Sequence, residues 1–292
     1  MDKSKPVKIA IASGKGGTGK TLISTNLASY ISEKTDCLLV DLDVEEPNSK
    51  IFIEGDFSLQ EEIFKAIPQW DESRCTLCGA CTTNCKFHAV LQLGTMVAVF
   101  KELCHSCYAC SELCPEEALP MKPHKIGEIG ILKNGALNFM ECRLSLEEEQ
   151  AVPLINQAHE YVNQHFSDSS IQLFDCPPGT SCPVIAATKN TDFVVLATEP
   201  TPFGLNDLRL AIETMRGLNK KFGVVINRYG IGDDEVENYC ISEEIPILAR
   251  IPFDRKIAED YSQGKIAVRG NEKLRKAISE LFINIENHLN HD

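Results

Sequence analysis

The sequence contains no apolar run near the ~18 residues that a membrane-spanning helix needs. Its first residues, MDKSKPVKIAIAS, hold no apolar signal-peptide segment, so we expect a cytoplasmic protein without stable membrane association. Positive charge is also scarce, because 29 Lys and Arg stand against 42 Asp and Glu, giving a formal net charge of -13. With no basic cluster, this balance argues against nucleic acid as a partner.

Cysteine, in contrast, is abundant, and eight of the 13 cysteines fall in one segment. They follow the spacing C-x₂-C-x₂-C-x₃-C twice, at Cys75, Cys78, Cys81 and Cys85 and then at Cys104, Cys107, Cys110 and Cys114. In two-cluster ferredoxins such a run gives three thiolates to one [4Fe–4S] cluster and its fourth to the other. The repeat therefore predicts one cluster on Cys75, Cys78, Cys81 and Cys114, and a second on Cys104, Cys107, Cys110 and Cys85.

Two other interpretations of these cysteines are weaker. Structural zinc usually needs two C-x₂₋₄-C pairs separated by a longer loop, and here four cysteines crowd into one short run. A disulfide framework is uncommon in the cytosol. One departure from the ferredoxin pattern is Lys86, which follows Cys85 where Pro115 follows Cys114.

A glycine-rich stretch near the start of the chain has the pattern of a phosphate-binding loop. GKGGTGKT, residues 14–21, fits G-x-x-x-x-G-K-[ST] and lies between a predicted strand and a segment with helical apolar spacing. Backbone N–H groups of such a loop surround phosphate at a helix N-terminus. Lys20 would reach the β- and γ-phosphates, and the Thr21 hydroxyl would bind Mg²⁺. The predicted cofactor-binding residues here are Gly14, Gly16, Gly17, Thr18, Gly19, Lys20 and Thr21.

Outside the cysteine segment, short apolar strands alternate with helices. The predicted strands include 37–42, 171–175, 193–198, 222–227 and 247–251, and the predicted helices include 147–166, 205–218 and 272–289. This order predicts a doubly wound α/β domain with a mostly parallel sheet. We assign this domain to residues 1–67 and 126–292, and a ferredoxin-like α+β insertion to residues 68–125.

Acidic segments follow two of the predicted strands, as DLDVEEPN at residues 41–48 and DCPPG at residues 175–179. Together with Lys15 inside the glycine-rich loop, these segments resemble the MinD/ParA/Mrp branch of P-loop ATPases, which also includes the nitrogenase iron protein. The similarity covers almost all of the chain outside the insertion. The segments DLDVEEPN and TEPTPFGLNDL resemble the corresponding sequences of family members that carry a ferredoxin insertion.

The resemblance implies an ATPase that works as an ATP-dependent homodimer. In this family the additional lysine crosses the dimer to the partner's phosphates, so Lys15 would act in trans. A cation delivered in this way stabilises charge on the transferred phosphoryl group, as an arginine finger does.

Other roles also follow from the resemblance alone. Asp43 would orient the attacking water, Asp175 would support Mg²⁺, and Asp41 and Asn48 would shape the switch loop. Asn227, at the end of a strand, would contact the adenine. The alternative for each of these residues is a cap or a turn at a strand end.

Three functions remain compatible with these features. We favour an ATP-driven switch that couples nucleotide state to electron transfer from two [4Fe–4S] clusters to a partner protein. An iron–sulfur assembly or carrier ATPase with a metallocluster client is the first alternative, although the C-terminal C-x-x-C of Mrp-type carriers is absent. The second is a positioning ATPase with a ferredoxin docking module, although the last helix has no basic face. Cys176 and Cys182 could ligate a further cluster shared between subunits.

Overall fold

The computed structural model describes residues 5–290, which form two compact units. The first unit contains residues up to 61, residues 129–143 and residues from 155 onward. The second contains residues 62–128 and 144–154. The chain thus leaves the first unit twice, whereas the sequence predicted one insertion over residues 68–125; those domain limits stay a prediction.

The described residues contain eleven strands. They are β1 Val7–Ala12, β2 Cys37–Asp41, β3 Leu59–Pro68, β4 Val90–Leu93, β5 Met96–Val99, β6 Met121–Asn134, β7 Leu137–Leu144, β8 Ile171–Asp175, β9 Phe193–Thr198, β10 Phe222–Tyr229 and β11 Ile247–Pro252. Nine form one sheet in the order β11-β10-β9-β1-β8-β2-β7-β6-β3. All neighbours from β11 to β7 pair in parallel, which confirms the predicted mostly parallel α/β sheet.

The described chain also contains nine α-helices, most of which lie between these strands. Their bounds are α1 Lys20–Ser32, α2 Ala80–Asn84, α3 Ala109–Glu112, α4 Ala151–His165, α5 Cys182–Lys189, α6 Pro202–Gly217, α7 Glu235–Ser242, α8 Arg255–Ser262 and α9 Glu272–Asn290. In a parallel sheet the carboxyl ends of the strands share one edge, so loops after β1, β2 and β8 come together there. This edge carries the nucleotide-site candidates.

The core of the first unit fills both faces of the parallel strands. Every residue of β2, β8 and β9 is buried, as expected for strands covered by helices on both sides. The apolar stripe of α9 joins this core, since Leu274, Ile278 and Leu281 are fully buried. Each such side chain contributes about 1.5–3 kcal/mol by leaving water. None of the described helices has the length and apolar character needed to cross a membrane.

The second unit has a much smaller core. The antiparallel hairpin of β4 and β5 supplies Val90 and Val97, which pack with Cys110 and Leu119. Trp70 and three more cysteines lie against this group. Few apolar side chains are available here, so the cysteines themselves make up a large part of the packing.

Candidate functional site

The glycine-rich loop runs from the end of β1 to the start of α1, as predicted. Gly19 precedes α1 with φ of 94°, a left-handed conformation that L side chains rarely adopt. A Cβ at this position would also overlap the Asn227 side chain. Glycine at this position is therefore required both by the backbone and by the close approach of Asn227.

The loop contains two buried polar side chains, those of Thr18 and Lys20. The Thr18 side chain is buried, and its Oγ1 has no hydrogen-bond partner among the described residues. Lys20 is also buried, at the first position of α1. A buried hydroxyl without a partner is costly unless a ligand or water satisfies it. This observation fits a loop whose partner is a bound phosphate.

Asp175 lies at the end of β8, next to the end of β2, where Asp41 pairs with it in the strand register. The Oδ2 atom of Asp175 accepts a hydrogen bond from Ser49 Oγ at 3.1 Å, and its Oδ1 has no partner in residues 5–290. Burial raises the pKa of this carboxyl, and the Lys20 charge opposes that rise. A carboxylate oxygen left free in such a site fits the needs of a magnesium ion.

Asp41 organises the loop that follows β2. Its carboxylate accepts hydrogen bonds from the backbone N–H groups of Asp43 at 3.1 Å, Asn48 at 3.0 Å and Ser49 at 2.9 Å. Burial, and then the neighbouring Asp175 charge, raise the pKa of Asp41 well above its usual value. Through these three hydrogen bonds Asp41 fixes the conformation of the loop that follows β2.

Asp43 is half-buried and lines a cavity above the loop. Burial raises its pKa to about 6, and the Lys20 charge acts in the opposite direction. The cavity has a volume of about 440 Å³ and is also lined by Gly16, Gly17, Gly19, Lys20, Thr21 and Asn48. This volume is within the usual range for a small-molecule site.

The far wall of the cavity is formed after β10 and β11. Asn227 is buried and donates a hydrogen bond from Nδ2 to the Thr18 carbonyl at 2.8 Å, while its Oδ1 accepts from the Arg228 N–H. Phe253 and Tyr261 provide aromatic surface on the same wall. Sequence reasoning missed Tyr261 as a lining residue, since it belongs to no spaced motif, and it assigned no role to Arg228, the neighbour of Asn227.

Three predicted loop residues, Gly14, Lys15 and Thr18, do not line this cavity, and neither does Asp175. Gly14 lies against the backbone of Asp207 in α6, with no room for a Cβ. Lys15 Nζ is 3.8 Å from Asp207 Oδ2, and both side chains are partly exposed. Lys15 therefore contacts α6, whereas Lys20 of the same loop lines the cavity.

The eight clustered cysteines surround two small cavities in the second unit. One cavity is lined by Cys75, Cys78, Cys81 and Cys114. The other is lined by Cys85, Cys104, Cys107 and Cys110. These are the two crossed sets predicted from spacing, in which each run contributes three cysteines to one set and one to the other.

The backbone repeats the sequence duplication. Left-handed residues occur in pairs 29 positions apart, at Leu77 and Ser106, Gly79 and Tyr108, and His88 and Glu117. Backbone N–H groups approach sulfur in the same register, since Ala89 N donates to Cys85 Sγ and Ala118 N to Cys114 Sγ, both at 3.2 Å. Donors fixed in this way stabilise thiolate sulfur.

No group of three or more His, Cys, Asp or Glu within residues 5–290 is arranged to hold a metal ion. The ligation of [4Fe–4S] clusters by these eight cysteines thus stays a prediction. Cys176 is fully buried with a raised pKa, caused chiefly by burial, whereas Cys182 is exposed at the start of α5. The structure does not bring these two cysteines to either cavity.

Comparison with known proteins gives matches over most of the chain. Residues 9–268 match the family model described as the CobQ/CobB/MinD/ParA nucleotide binding domain. An uncharacterized protein of Methanocaldococcus jannaschii is 32% identical over 284 residues, covering 95% of this chain and 97% of that protein.

Two further matches are more distant. An iron–sulfur cluster carrier protein of Pyrococcus horikoshii is 21% identical, over 99% of this chain and 88% of its own. The septum site-determining protein MinD of the same organism, solved in complex with Mg-ADP, superposes with a TM-score of 0.63 at 19% identity, covering 98% of each chain. At this identity the second match establishes a shared fold.

Proposed function

Because the chain belongs to the CobQ/CobB/MinD/ParA family of nucleotide-binding domains, we propose that it binds ATP with Mg²⁺ in the 440 Å³ cavity. The glycine-rich loop and Lys20 hold the phosphates, and Thr21 with Asp175 holds the magnesium ion. The unpartnered atoms Thr18 Oγ1 and Asp175 Oδ1 support this assignment. The Mg-ADP complex of the structurally similar MinD supports it too.

The adenine lies on the wall that Asn227 and Phe253 line. Asn227 already uses one amide N–H on the Thr18 carbonyl, which leaves its second N–H for the base. Because Asn227 also contacts the loop, adenine bound to Asn227 stabilises the loop conformation. The loop in turn holds Asn227 in position for the adenine.

We assign hydrolysis of ATP to the acidic side chains that lie next to the glycine-rich loop. Asp43 orients the attacking water, and its pKa of about 6 keeps it largely ionised at neutral pH. Lys20 stabilises charge on the phosphates from within the chain, and Lys15 supplies a second cation from the partner in an ATP-dependent homodimer. In the single chain Lys15 is paired with Asp207, so its catalytic action depends on dimerisation.

The second unit carries two [4Fe–4S] clusters, and its residues fit that role. Each cavity is lined by four cysteines, and backbone N–H groups donate to Cys85 and Cys114. When bound, such clusters supply one-electron transfer at a low potential. Residues 68–125 then form the ferredoxin-like domain that the cysteine spacing predicts.

The whole protein is an ATP-driven redox switch in which nucleotide state controls electron transfer from the clusters to a partner protein. The observation that carries the redox part is the crossing of the two cysteine sets, because each cavity takes its fourth cysteine from the other half of the duplication. Ligands interlocked in this way favour clusters that are held permanently.

Cluster assembly is the second candidate, with a metallocluster protein as the client. It is favoured by the similarity to the iron–sulfur cluster carrier protein of Pyrococcus horikoshii. Against it stands the burial of Cys104 and Cys110, which are both only 7% exposed. A carrier must release its cluster, and buried ligands hinder that release.

Anaerobic EPR of the dithionite-reduced protein, with iron quantified, tests the proposal. We expect about eight irons per chain and signals that shift when a non-hydrolysable ATP analogue is added. Lys20→Met should keep the iron and abolish the shift, because it removes the phosphate contact alone. Wild-type EPR signals that do not change when the nucleotide analogue is added would contradict the redox switch. Transfer of iron to an apo-acceptor protein during ATP hydrolysis would favour the cluster-assembly function.

A further inference from the structure

The two cysteine-lined cavities are equivalent in their cysteines but differ in the side chains around them. We call the cavity of Cys75, Cys78, Cys81 and Cys114 the first cavity, and that of Cys85, Cys104, Cys107 and Cys110 the second. Within the duplicated segment each residue of one half has a counterpart 29 positions away in the other half. Because the cysteines match at these positions, the other positions show what distinguishes the two cavities.

Three ring side chains line the second cavity, and none of their counterparts carries a ring. The three are Phe87, His105 and Tyr108. Their counterparts, which line the first cavity, are Glu116, Thr76 and Gly79. Phe87 and Tyr108 are 42% and 45% exposed, and the rings of Phe87 and His105 stack with their centroids 3.8 Å apart. Exposed rings therefore border the second cavity, whereas a carboxylate borders the first.

Tyr108 adopts a backbone conformation for which its counterpart is glycine. The φ angle is 63° at Tyr108 and 77° at Gly79, and both values are left-handed. Glycine adopts this conformation without a steric penalty, whereas tyrosine does not. Since the Tyr108 side chain is largely exposed, burial does not account for a tyrosine here. Strained residues of this kind are concentrated at functional sites.

The turn that leads into Cys104 adds two more exposed apolar side chains, those of Phe100 and Leu103. Leu103 N donates a hydrogen bond to the Phe100 carbonyl at 3.2 Å, and Phe100 N donates to the Ala89 carbonyl at 2.8 Å. The second bond places Phe100 beside the segment that carries Phe87. The counterparts of Phe100 and Leu103 are Asp71 and Arg74. We call Phe87, Phe100, Leu103, His105 and Tyr108 the aromatic face.

Charge differs between the two halves in the same way. Lys86 and His88 flank Phe87, and Lys101 follows Phe100. Lys86 is exposed, whereas Lys101 Nζ lies 3.4 Å from Glu147 Oε2. In the first half the corresponding region carries four acidic side chains, which are Asp71, Glu72, Glu116 and Glu117. The aromatic face therefore lies beside a cation, and the first cavity lies among carboxylates.

We propose that the aromatic face binds a small acidic electron-transfer protein, which exchanges electrons with the cluster of the second cavity. This inference rests on the proposed function, because it requires the clusters and describes their partner. Aromatic side chains are enriched at the centres of protein interfaces, where charged side chains are depleted. Carboxylates at the rim of the partner would pair with Lys86, and the acidic side chains around the first cavity would repel them.

The electron transfer is a one-electron step. The reduced cluster of the second cavity loses one electron and is oxidised, and the redox centre of the partner gains that electron. No bond forms between the two proteins in this step. The contact at the aromatic face has only to hold the two centres close to each other.

Flavodoxin, an acidic protein whose flavin accepts one electron to form a semiquinone, is the probe. Carbodiimide links a lysine to a carboxylate in direct contact with it, so mass spectrometry of the treated mixture should find Lys86 joined to flavodoxin. Lys86→Gln should lose this link. With dithionite-reduced whole protein, the rate of semiquinone formation should saturate as flavodoxin is added, and binding should weaken at high salt.

A double variant exchanges the face of one cavity for that of the other. Phe87→Glu with Tyr108→Gly places the counterpart residues of the first cavity around the second, and the glycine also removes the left-handed tyrosine. This variant should keep about eight irons per chain and bind flavodoxin at least about tenfold more weakly. Leu113→Glu is the control, because Leu113 is exposed beside Cys114 and lines neither cavity. It should bind flavodoxin as the wild type does.

The possible outcomes separate this inference from the proposed function. Wild-type protein that holds eight irons but does not bind flavodoxin would overturn the inference alone. Equal binding by the double variant and the wild type, or equal losses in the double variant and Leu113→Glu, would overturn it as well. A wild-type protein without iron would overturn the proposed function and this inference with it.

Discussion

Lys15 and Asp207 form an ion pair within one chain, with Lys15 Nζ 3.8 Å from Asp207 Oδ2. The pair joins the glycine-rich loop to α6, and α6 also packs its backbone against Gly14. If Lys15 acts on the phosphates of a partner, this pair must break when the dimer forms. Asp207 then opposes dimerisation, because its pair with Lys15 must be lost first.

Asp207→Asn should strengthen the ATP-dependent dimer. A partly exposed pair is worth about 0.2–1 kcal/mol, and two pairs break per dimer, so the dimer dissociation constant should fall roughly 2- to 30-fold. Sedimentation with a non-hydrolysable ATP analogue measures the change. Glu213→Gln, on the exposed face of the same helix, removes the same charge and should have no effect. A weaker dimer in Asp207→Asn would contradict the claim that Asp207 opposes dimerisation.

The crossed cysteine sets lead to a prediction about paired substitutions. Cys78→Ala with Cys114→Ala removes two ligands of the first cavity, so iron should fall from about eight to about four per chain, with one intact EPR signal. Cys110→Ala with Cys114→Ala removes one ligand from each cavity and should perturb both signals. Iron analysis and EPR distinguish these outcomes. If Cys110 and Cys114 served the same cluster, the two double variants would exchange their behaviour.

Features set by local spacing could be predicted from the sequence. The loop at residues 14–21 and the cysteine runs depend on short-range geometry, so their position in the fold followed from residue order. Strands β3, β6 and β7, which continue the sheet, were not predicted, because they flank the cysteine runs and their apolar residues alternate irregularly with polar ones. Their apolar residues do not form the uninterrupted runs of β2 or β9.

Pairs of residues far apart in the chain were also beyond sequence reasoning. Lys65 pairs with Glu148, and Lys15 with Asp207, only because the tertiary fold brings different segments together. In the sequence Lys65 lies among the glutamates and apolar residues of LQEEIFKAIP, which does not indicate a buried cation. The same limit applies to Arg228, whose Nη1 lies 2.8 Å from Glu199.

Gly19→Ala should destabilise the protein even without nucleotide. Left-handed backbone costs an L residue about 1–2 kcal/mol, and the new methyl group must also displace Asn227. Urea unfolding of the nucleotide-free protein measures the loss. Gly16→Ala is the matched control, because no atom lies within 4 Å of a Cβ there and its φ is not left-handed. Equal stabilities for the two variants would contradict both the backbone strain and the close approach of Asn227 at Gly19.

Asp43 should make the stability of the nucleotide-free protein depend on pH. Burial raises its pKa from 3.8 to about 6, so the folded state binds the proton more tightly than the unfolded state does. Stability therefore falls as pH rises from about 4 to about 6, and the loss persists above that range. Because Asp43 is only half-buried, we expect a penalty of about 1–2 kcal/mol at neutral pH after solvent screening.

Asp43→Asn removes this penalty, so the variant should be more stable than the wild type at pH 7.5. The advantage should shrink steadily as the pH falls toward 4, where both states of the wild type become protonated at Asp43. Urea unfolding at pH 7.5, 5.5 and 4.5 measures the difference in the free energy of unfolding. Glu213→Gln, an exposed residue of α6 that does not line this cavity, should match the wild type at each pH. An Asp43→Asn advantage that does not change with pH would mean that packing, and not the buried charge, accounts for it.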